Sequence, residues 1–167
     1  MIGIGKWLPA VVLAAALSGC AAGADTLTAS APQAVDEVDD MVVHVVPVAL
    51  NWDERPGPDG LDVSVYMYLY ARKLPVTVKG TLAFEVYEGG IQGPDLATAR
   101  PFFTWRFDAD ALQSYLGRSA AGWGYAIRLG WGPRSPATSS VTLAARYVPG
   151  KGRTIYTRPI TIAARPE

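Results

Sequence analysis

The stretch Leu61-Asp62-Val63-Ser64-Val65-Tyr66-Met67-Tyr68-Leu69-Tyr70 decides the fold. An apolar residue occupies every odd position, and a polar or aromatic residue occupies every even one. Successive side chains of a strand point to opposite faces of a sheet, so this period of two predicts a strand with one buried face.

The same period recurs along most of the chain after residue 40, between breaks rich in Gly and Pro. The other predicted strands are residues 41–50, 81–88, 101–107, 124–132, 141–147 and 154–163. The last two flank Pro149-Gly150-Lys151-Gly152, which is a hairpin signal. Residues 89–100 are predicted to form a long loop, and residues 76–78 a brief strand contact.

One segment has helical spacing instead. Leu112, Tyr115 and Leu116 stand at i, i+3 and i+4, and Asp108 is placed to cap the amino end. The sequence therefore predicts an all-β fold: a two-sheet antiparallel β-sandwich of about seven strands with one short helix across an end. Its topology is expected to be immunoglobulin-like or transthyretin-like.

The amino end has the composition of an export signal. Lys6 precedes an apolar run over residues 7–17, and these eleven residues are too few to span a bilayer as a helix. The run ends in Leu17-Ser18-Gly19-Cys20, and Cys20 is the single cysteine of the chain.

Leu17-Ser18-Gly19-Cys20 resembles the bacterial lipobox. The resemblance implies a lipoprotein signal peptide over residues 1–19, cleavage before Cys20 and a covalent lipid on its sulfur. Two or three acyl chains hold a protein on a membrane almost permanently. Because Ala21 rather than Asp follows the cysteine, the resemblance also implies an outer-membrane lipoprotein facing the periplasm.

Removal of residues 1–19 leaves 148 residues, enough for one domain and a tether. Residues 20–40 hold five acids and no base, so they are predicted to form a flexible acidic tether after the lipidated cysteine. Residues 41–167 form the predicted β-sandwich domain, with fourteen bases and ten acids. These bases are scattered, and no nucleic-acid partner is expected.

Residues 72–82, Arg-Lys-Leu-Pro-Val-Thr-Val-Lys-Gly-Thr-Leu, are similar to a pattern of bacterial immunoglobulin-like and transthyretin-like modules. The whole chain also resembles uncharacterised predicted bacterial lipoproteins with one such β domain. These resemblances imply a fold and a location, and they transfer no activity.

Catalytic patterns are missing from the sequence. His44 is the single histidine, within a Val-rich strand, and no nucleophile elbow, phosphate loop or dinucleotide fingerprint occurs. We therefore expect a non-enzymatic binding or structural role in the cell envelope, with no cofactor beyond the lipid. Two alternatives are a secretion chaperone or pilot lipoprotein using an exposed strand edge, and an envelope hydrolase using Asp53, Asp59 or Asp62.

Two groups of side chains are candidates for binding. Tyr66, Tyr68 and Tyr70, with Trp52 in the preceding loop, would form an aromatic face for a polysaccharide or an envelope protein if it is open, and packing if it is covered. Asp53, Glu54, Asp59 and Asp62 are oxygen ligands of the kind that Ca²⁺ prefers. Their spacing does not match an EF-hand loop, and turn formation also explains Asp59-Gly60.

Overall fold

The computed structural model describes residues 30–53 and 55–164. The described residues form nine strands, one α-helix and one short 3-10 helix, Gly93–Ala97. The strands are β1 (Asp40–Val45), β2 (Gly60–Tyr68), β3 (Thr81–Glu88), β4 (Phe103–Phe107), β5 (Leu116–Ser119), β6 (Gly122–Gly130), β7 (Ser140–Val148), β8 (Ile155–Tyr156) and β9 (Ile160–Ala163), and the helix α1 is Ala109–Gln113.

Two antiparallel sheets make up the domain, which confirms the predicted sandwich. The first sheet has the order β1-β2-β6-β5, and the second has the order β4-β3-β7, with β8 and β9 both paired to β7. In the second sheet β4 is an outer strand, and it pairs with β3. Val48 pairs in parallel with Ala163, so the chain passes to the second sheet directly after β1.

The core lies between the two sheets, where the predicted alternation places it. Leu61, Val63, Val65 and Met67 of β2 are at most 3% exposed, and the inward residues of β3 are fully buried. Both sets remove apolar side chains from water, which is the main favourable term in folding. Strand β2 ends at Tyr68, two residues before the predicted end.

The predicted helix is shorter than expected, and it leads into an unpredicted strand. Asp108 caps it as predicted, because its Oδ1 accepts a hydrogen bond from the Ala111 N–H at 2.9 Å. The helix ends at Gln113, and Leu116 begins β5 rather than closing a second turn. Gly117 is a poor helix former, and β5 forms a hairpin with β6. The helix joins the two sheets, as predicted.

The last predicted strand is two strands in the structure. Strands β8 and β9 both pair with β7 across the predicted hairpin, and the chain leaves the sheet between them at Arg158 and Pro159. Proline has no N–H for a sheet ladder, so it interrupts the strand.

The folded domain begins before residue 41, inside the segment predicted as tether. The Val35 N–H donates to the Thr77 carbonyl at 2.9 Å, and Val38 is only 7% exposed. Asp40 is the first residue of β1. Backbone hydrogen bonds and the burial of Val38 hold this segment on the domain. Within the described ranges, no helix has both the length and the apolar character to cross a membrane.

Candidate functional site

The predicted aromatic residues share one sheet face but do not form a continuous row. Tyr66 and Tyr68 project half-buried from the outer face of the first sheet, and Tyr70 lies beyond the end of β2 with 77% of its surface exposed. Trp52 lies at the other end of this face, against Gly60 and Gly130. Among the described residues, no ring contact joins two of these four side chains.

Tyr66 is packed into its own surroundings. Its ring lies over Gly124, where a Cβ would come within 2.6 Å of the ring, and it meets the His44 ring edge-on at 5.9 Å. Its hydroxyl is 3.0 Å from the Ser119 Oγ. The hollow beside it measures about 130 Å³, which is below the usual range for small-molecule sites, about 300–1,000 Å³.

Trp52 also contacts neighbouring side chains on the same sheet face. Its backbone N–H donates to the Asp59 Oδ2 at 2.5 Å, and the Arg128 guanidinium lies over its ring at 5.3 Å. Arg128 also approaches the Asp62 carboxylate, with Nε 3.5 Å from Oδ1. The arrangement is a local cluster on the sheet surface rather than an open stacking platform.

The candidate carboxylates have separate partners. Asp53 forms an ion pair with Arg55 at 3.5 Å, while Asp59 and Asp62 have the partners described above. Glu54 lies outside the described residues, as does Cys20. Across residues 30–53 and 55–164, no three His, Cys, Asp or Glu side chains are grouped so as to hold a metal ion.

A larger cleft lies at the end of the sandwich where the described chain begins, and we call it the tether-end cleft. Its volume is about 600 Å³. Its walls are the connector after β2, the β5–β6 hairpin and the first described residues, Ser30 and Pro32. The remaining lining residues are Arg72, Lys73, Leu74, Pro75, Val76, Arg118, Ser119, Ala120, Gly122 and Trp123.

Buried tyrosine hydroxyls hold the connector that continues from Pro75 and Val76 of the cleft lining. The connector from Val76 to Gly80 crosses between the sheets, and its Val78 and Gly80 N–H groups donate to the Tyr125 and Tyr147 hydroxyls, each at 3.0 Å. Burial raises the pKa of the Tyr125 phenol, and it raises the pKa of Tyr147 to about 12. Both phenols therefore stay neutral at physiological pH, and the connector is fixed from both sheets.

The first described residues run alongside this connector. Lys79 N–H donates to the Val35 carbonyl at 3.0 Å, and the Thr77 Oγ1 donates to the Pro32 carbonyl at 2.7 Å. These bonds, with the Val35–Thr77 bond, seat residues 32–35 against the connector. Ser30 and Pro32 are thereby placed at the wall of the cleft.

The β5–β6 hairpin closes the opposite wall. Gly122 has φ +116°, and a Cβ at this position would lie 2.8 Å from the Pro75 Cδ. Only glycine adopts this backbone conformation readily, so Gly122 allows the hairpin to rest on Pro75. The hairpin brings Arg118 and Trp123 to the same cleft as Arg72 and Lys73.

The cleft is apolar inside and cationic at its rim. Leu74 is 67% exposed, whereas Pro75 and Val76 are buried. No Asp or Glu of the described residues lines the cleft, and the described ion pairs leave out Arg72, Lys73 and Arg118. Such a lining suits a ligand that combines an apolar part with an anionic group.

Sequence reasoning missed this site. In the sequence, Arg72, Lys73 and Leu74 lie in the stretch that resembles a β-module pattern, and Arg118 lies outside every predicted element. The cleft exists because an unpredicted hairpin folds back on Pro75. The adjacent cations Arg72 and Lys73 were the one feature of the local sequence that could have indicated this cleft.

Comparison with protein-family models, with curated proteins and with solved structures gave no match.

Proposed function

We propose that this protein is a lipid-anchored component of the bacterial cell envelope with a non-enzymatic binding role. In this proposal Cys20 carries the lipid, and the tether-end cleft takes an amphipathic anion. The lipobox resemblance supports the anchor and, through Ala21, an outer-membrane location facing the periplasm. The observation that carries the binding role is the apolar cleft with three cations and no described acid in its lining.

The side chains of the cleft suit recognition. Arg72 and Arg118 offer planar guanidinium groups that bind carboxylate or phosphate through two hydrogen bonds, and Lys73 adds a point charge. Leu74 and Trp123 supply apolar surface for the rest of the ligand. The described lining contains two serine hydroxyls and no carboxylate or imidazole to activate them, which favours binding over covalent chemistry.

The anchor is tested on the full chain produced in a Gram-negative host. We expect mass spectrometry of the mature protein to find a diacylglyceryl group on an amino-terminal Cys20, and Cys20→Ser to abolish incorporation of a fatty-acid analogue. Mature protein with a free thiol at Cys20, or with residues 1–19 attached, would contradict the proposal.

The binding role is tested by photo-crosslinking in the same cells. A photoreactive amino acid replaces Ala120, which lines the cleft, and the matched control replaces Ser135 at the other end of the sandwich. We expect an adduct from position 120 that is lost in the triple variant Arg72→Gln/Lys73→Gln/Arg118→Gln, and no such adduct from position 135. Absence of an adduct at position 120 argues against a ligand in this cleft.

One structural observation supports the alternative function as a pilot lipoprotein. Strand β1 is an outer strand of the first sheet, and Val42 and Val43 are half-buried there. An added strand from a partner would pair with this edge. A photoreactive group at the exposed His44 that captures one outer-membrane protein, with none captured at position 120, would favour the pilot function over the cleft.

A further inference from the structure

The loop after β2 has the composition of a segment that lies in a membrane interface. Residues 70–74 are Tyr-Ala-Arg-Lys-Leu, and all five are exposed. Tyr70 and Leu74 are two of the five exposed large apolar or aromatic side chains in the described residues. An aromatic ring and an aliphatic side chain beside two cations match the interfacial zone of a bilayer, where rings and charged groups lie at headgroup level.

The β5–β6 hairpin adds matching groups to the same side of the molecule. Arg118 and Trp123 line the tether-end cleft together with Arg72, Lys73 and Leu74. The 70–74 loop and the β5–β6 hairpin thus contribute side chains to one cleft. Its three cations have no acidic partner among the described residues.

Covalent geometry keeps this end close to the proposed anchor. Ser30 lines the cleft and follows Cys20 by ten residues. Ten residues span at most about 36 Å even when fully extended. The other end of the sandwich lies a strand length further away, about 30 Å for the nine residues of β2.

Acidic side chains also occur at this end, at the start of the 70–74 loop and beside the β7–β8 connection. The Asp39 Oδ2 accepts a hydrogen bond from the Tyr70 N–H at 2.7 Å, and the Glu37 side chain packs near Gly152 in the β7–β8 connection. Neither lines the cleft. The described lining of the cleft is therefore cationic and without acids, while Asp39 borders the 70–74 loop at Tyr70.

We propose that the tether-end cleft and the 70–74 loop dock on anionic phospholipid of the membrane that holds the acyl chains of Cys20. Headgroup phosphate contacts Arg72, Lys73 and Arg118, while Leu74 and Trp123 enter the boundary between headgroups and acyl chains. The inference rests on the proposed lipid anchor, and it names the ligand class of the proposed cleft. Docking orients the domain with its opposite end facing away from the bilayer.

Anionic lipid fits better than an acidic peptide for a physical reason. Once the chain is anchored, phospholipid is present at high local concentration within reach of the cleft, so docking is an intramolecular event. A soluble peptide lacks this advantage. The loop also exposes Tyr70, which does not line the cleft, beside Leu74, which does, and a flat bilayer would cover both.

The experiment uses the lipidated full-length protein reconstituted in vesicles. Lipidation occupies Cys20, the single cysteine, so a cysteine introduced by Ala71→Cys is a unique labelling site in the exposed loop. Ser135→Cys at the opposite end is the matched control, since it is also exposed. Each is labelled with an environment-sensitive fluorophore, and spin-labelled lipids report quenching at headgroup depth.

In vesicles of roughly one-third phosphatidylglycerol in phosphatidylcholine, we expect the label at position 71 to be quenched several-fold more than the label at position 135. About 0.5 M salt should reduce this difference, because the Debye length falls well below 10 Å. Equal quenching at both positions would overturn docking. Equal quenching at position 71 in pure phosphatidylcholine would overturn the role of the anionic lipid.

The triple variant Arg72→Gln/Lys73→Gln/Arg118→Gln tests the cations directly. Each cation near an anionic surface contributes about a fivefold factor, so their joint loss should lower the docking equilibrium roughly 100-fold. The control Arg55→Gln/Arg100→Gln/Arg134→Gln removes the same charge elsewhere and should leave quenching unchanged. Equal effects of the two variants would overturn the cleft as the docking site.

Failure of the anchor and failure of docking are separable. Flotation of the protein with vesicles reports the anchor, whereas quenching at position 71 reports docking. Protein that floats while the label stays in water overturns docking and leaves the anchor standing. A crosslink from position 120 to an envelope protein instead of phospholipid would also overturn the inference and leave the binding role intact.

Discussion

The two ends of the sandwich carry clefts of similar volume, about 600 Å³ at the tether end and about 570 Å³ at the other. Their charges are arranged differently. At the far end Asp53 pairs with Arg55, and Asp59 accepts the Trp52 N–H. At the tether end Arg72, Lys73 and Arg118 have no acidic partner among the described residues. Cleft volume therefore does not distinguish the two ends, whereas charge pairing does.

The ends also differ in how their connectors are held. At the tether end, residues 76–80 pass through the core, and two buried phenols accept their N–H groups. At the far end, the indole of the fully buried Trp131 donates to the Pro58 carbonyl at 2.7 Å, and Arg134 lies over the Phe103 ring at 5.1 Å. Buried side chains thus hold a connection at each end, through phenols that accept N–H groups at the tether end and through an indole that donates to a carbonyl at the far end.

Alkaline pH should have the largest effect on stability. Burial raises the pKa of Tyr147 at the tether end to about 12, and burial with the Glu85 hydrogen bond raises that of Tyr87, near the far end, to about 12. The unfolded phenols ionise near pH 10, before the folded ones, so stability is full below about pH 10 and is lost as the pH rises through about 12. We expect the free energy of unfolding in urea to fall by on the order of 4 kcal/mol between about pH 9 and about pH 12.

Tyr→Phe substitutions would show how much of this decrease in the free energy of unfolding comes from each end. Tyr147→Phe and Tyr87→Phe should each remove part of the pH dependence, because phenylalanine has no proton to lose, and the buried phenol of Tyr125 should account for a further part. A curve unchanged in both variants would show that other groups cause the alkaline loss.

A matched pair of glycines compares the two ends at neutral pH. Gly122→Ala forces a side chain into φ +116° and against Pro75 at 2.8 Å, so we expect a loss of about 3 kcal/mol. Gly132→Ala at the far end meets nothing within 4 Å at φ +63°, and it should cost about 1 kcal/mol of backbone strain. Urea unfolding measures both, and equal losses would mean that the hairpin does not rest on Pro75.

Removal of one buried hydroxyl should lower the free energy of unfolding by less than Gly122→Ala does. Tyr147→Phe leaves the buried Gly80 N–H without its acceptor, and we expect a loss of about 2 kcal/mol in thermal and urea unfolding at neutral pH. Tyr156→Phe is the control, because Tyr156 is 69% exposed and should change stability by less than about 0.5 kcal/mol. A Tyr147→Phe protein as stable as the control would disprove the role of the phenol in holding the connector.

The sequence predicted the fold well because the fold depends on a local signal. The alternation from Leu61 to Tyr68 shows which side chains face the core, and Asp108 marks the start of the helix. Sheet order could not be predicted, since it depends on pairings between distant strands. Strand β5 escaped prediction because Leu116-Gly117-Arg118-Ser119 has no alternation, and its pairing with β6 alone makes it a strand.

The candidate site was predicted poorly because, like the sheet order, it depends on contacts between distant parts of the sequence. Tyr66 and Tyr68 do share a face, which periodicity can show, but the covering of Tyr66 by His44 and Gly124 comes from neighbouring strands. The tether-end cleft joins residues from positions 30–32, 72–76 and 118–123. No local sequence pattern indicates that these three segments lie close together. The packing of the β5–β6 hairpin on Pro75 brings them together.

Charge removal at either end should have the smallest effect on stability. Arg55 is 87% exposed in its ion pair with Asp53, and exposed pairs contribute little, so Arg55→Gln should cost at most about 0.5 kcal/mol. Arg118 has no described acidic partner, so Arg118→Gln should be neutral within about 0.5 kcal/mol. If both variants unfold at the urea midpoint of the unmodified protein, any binding defect of Arg118→Gln is a loss of ligand contact. A destabilised Arg118→Gln protein would instead show that this arginine supports the fold, and the contrast between a paired end and an unpaired end would be lost.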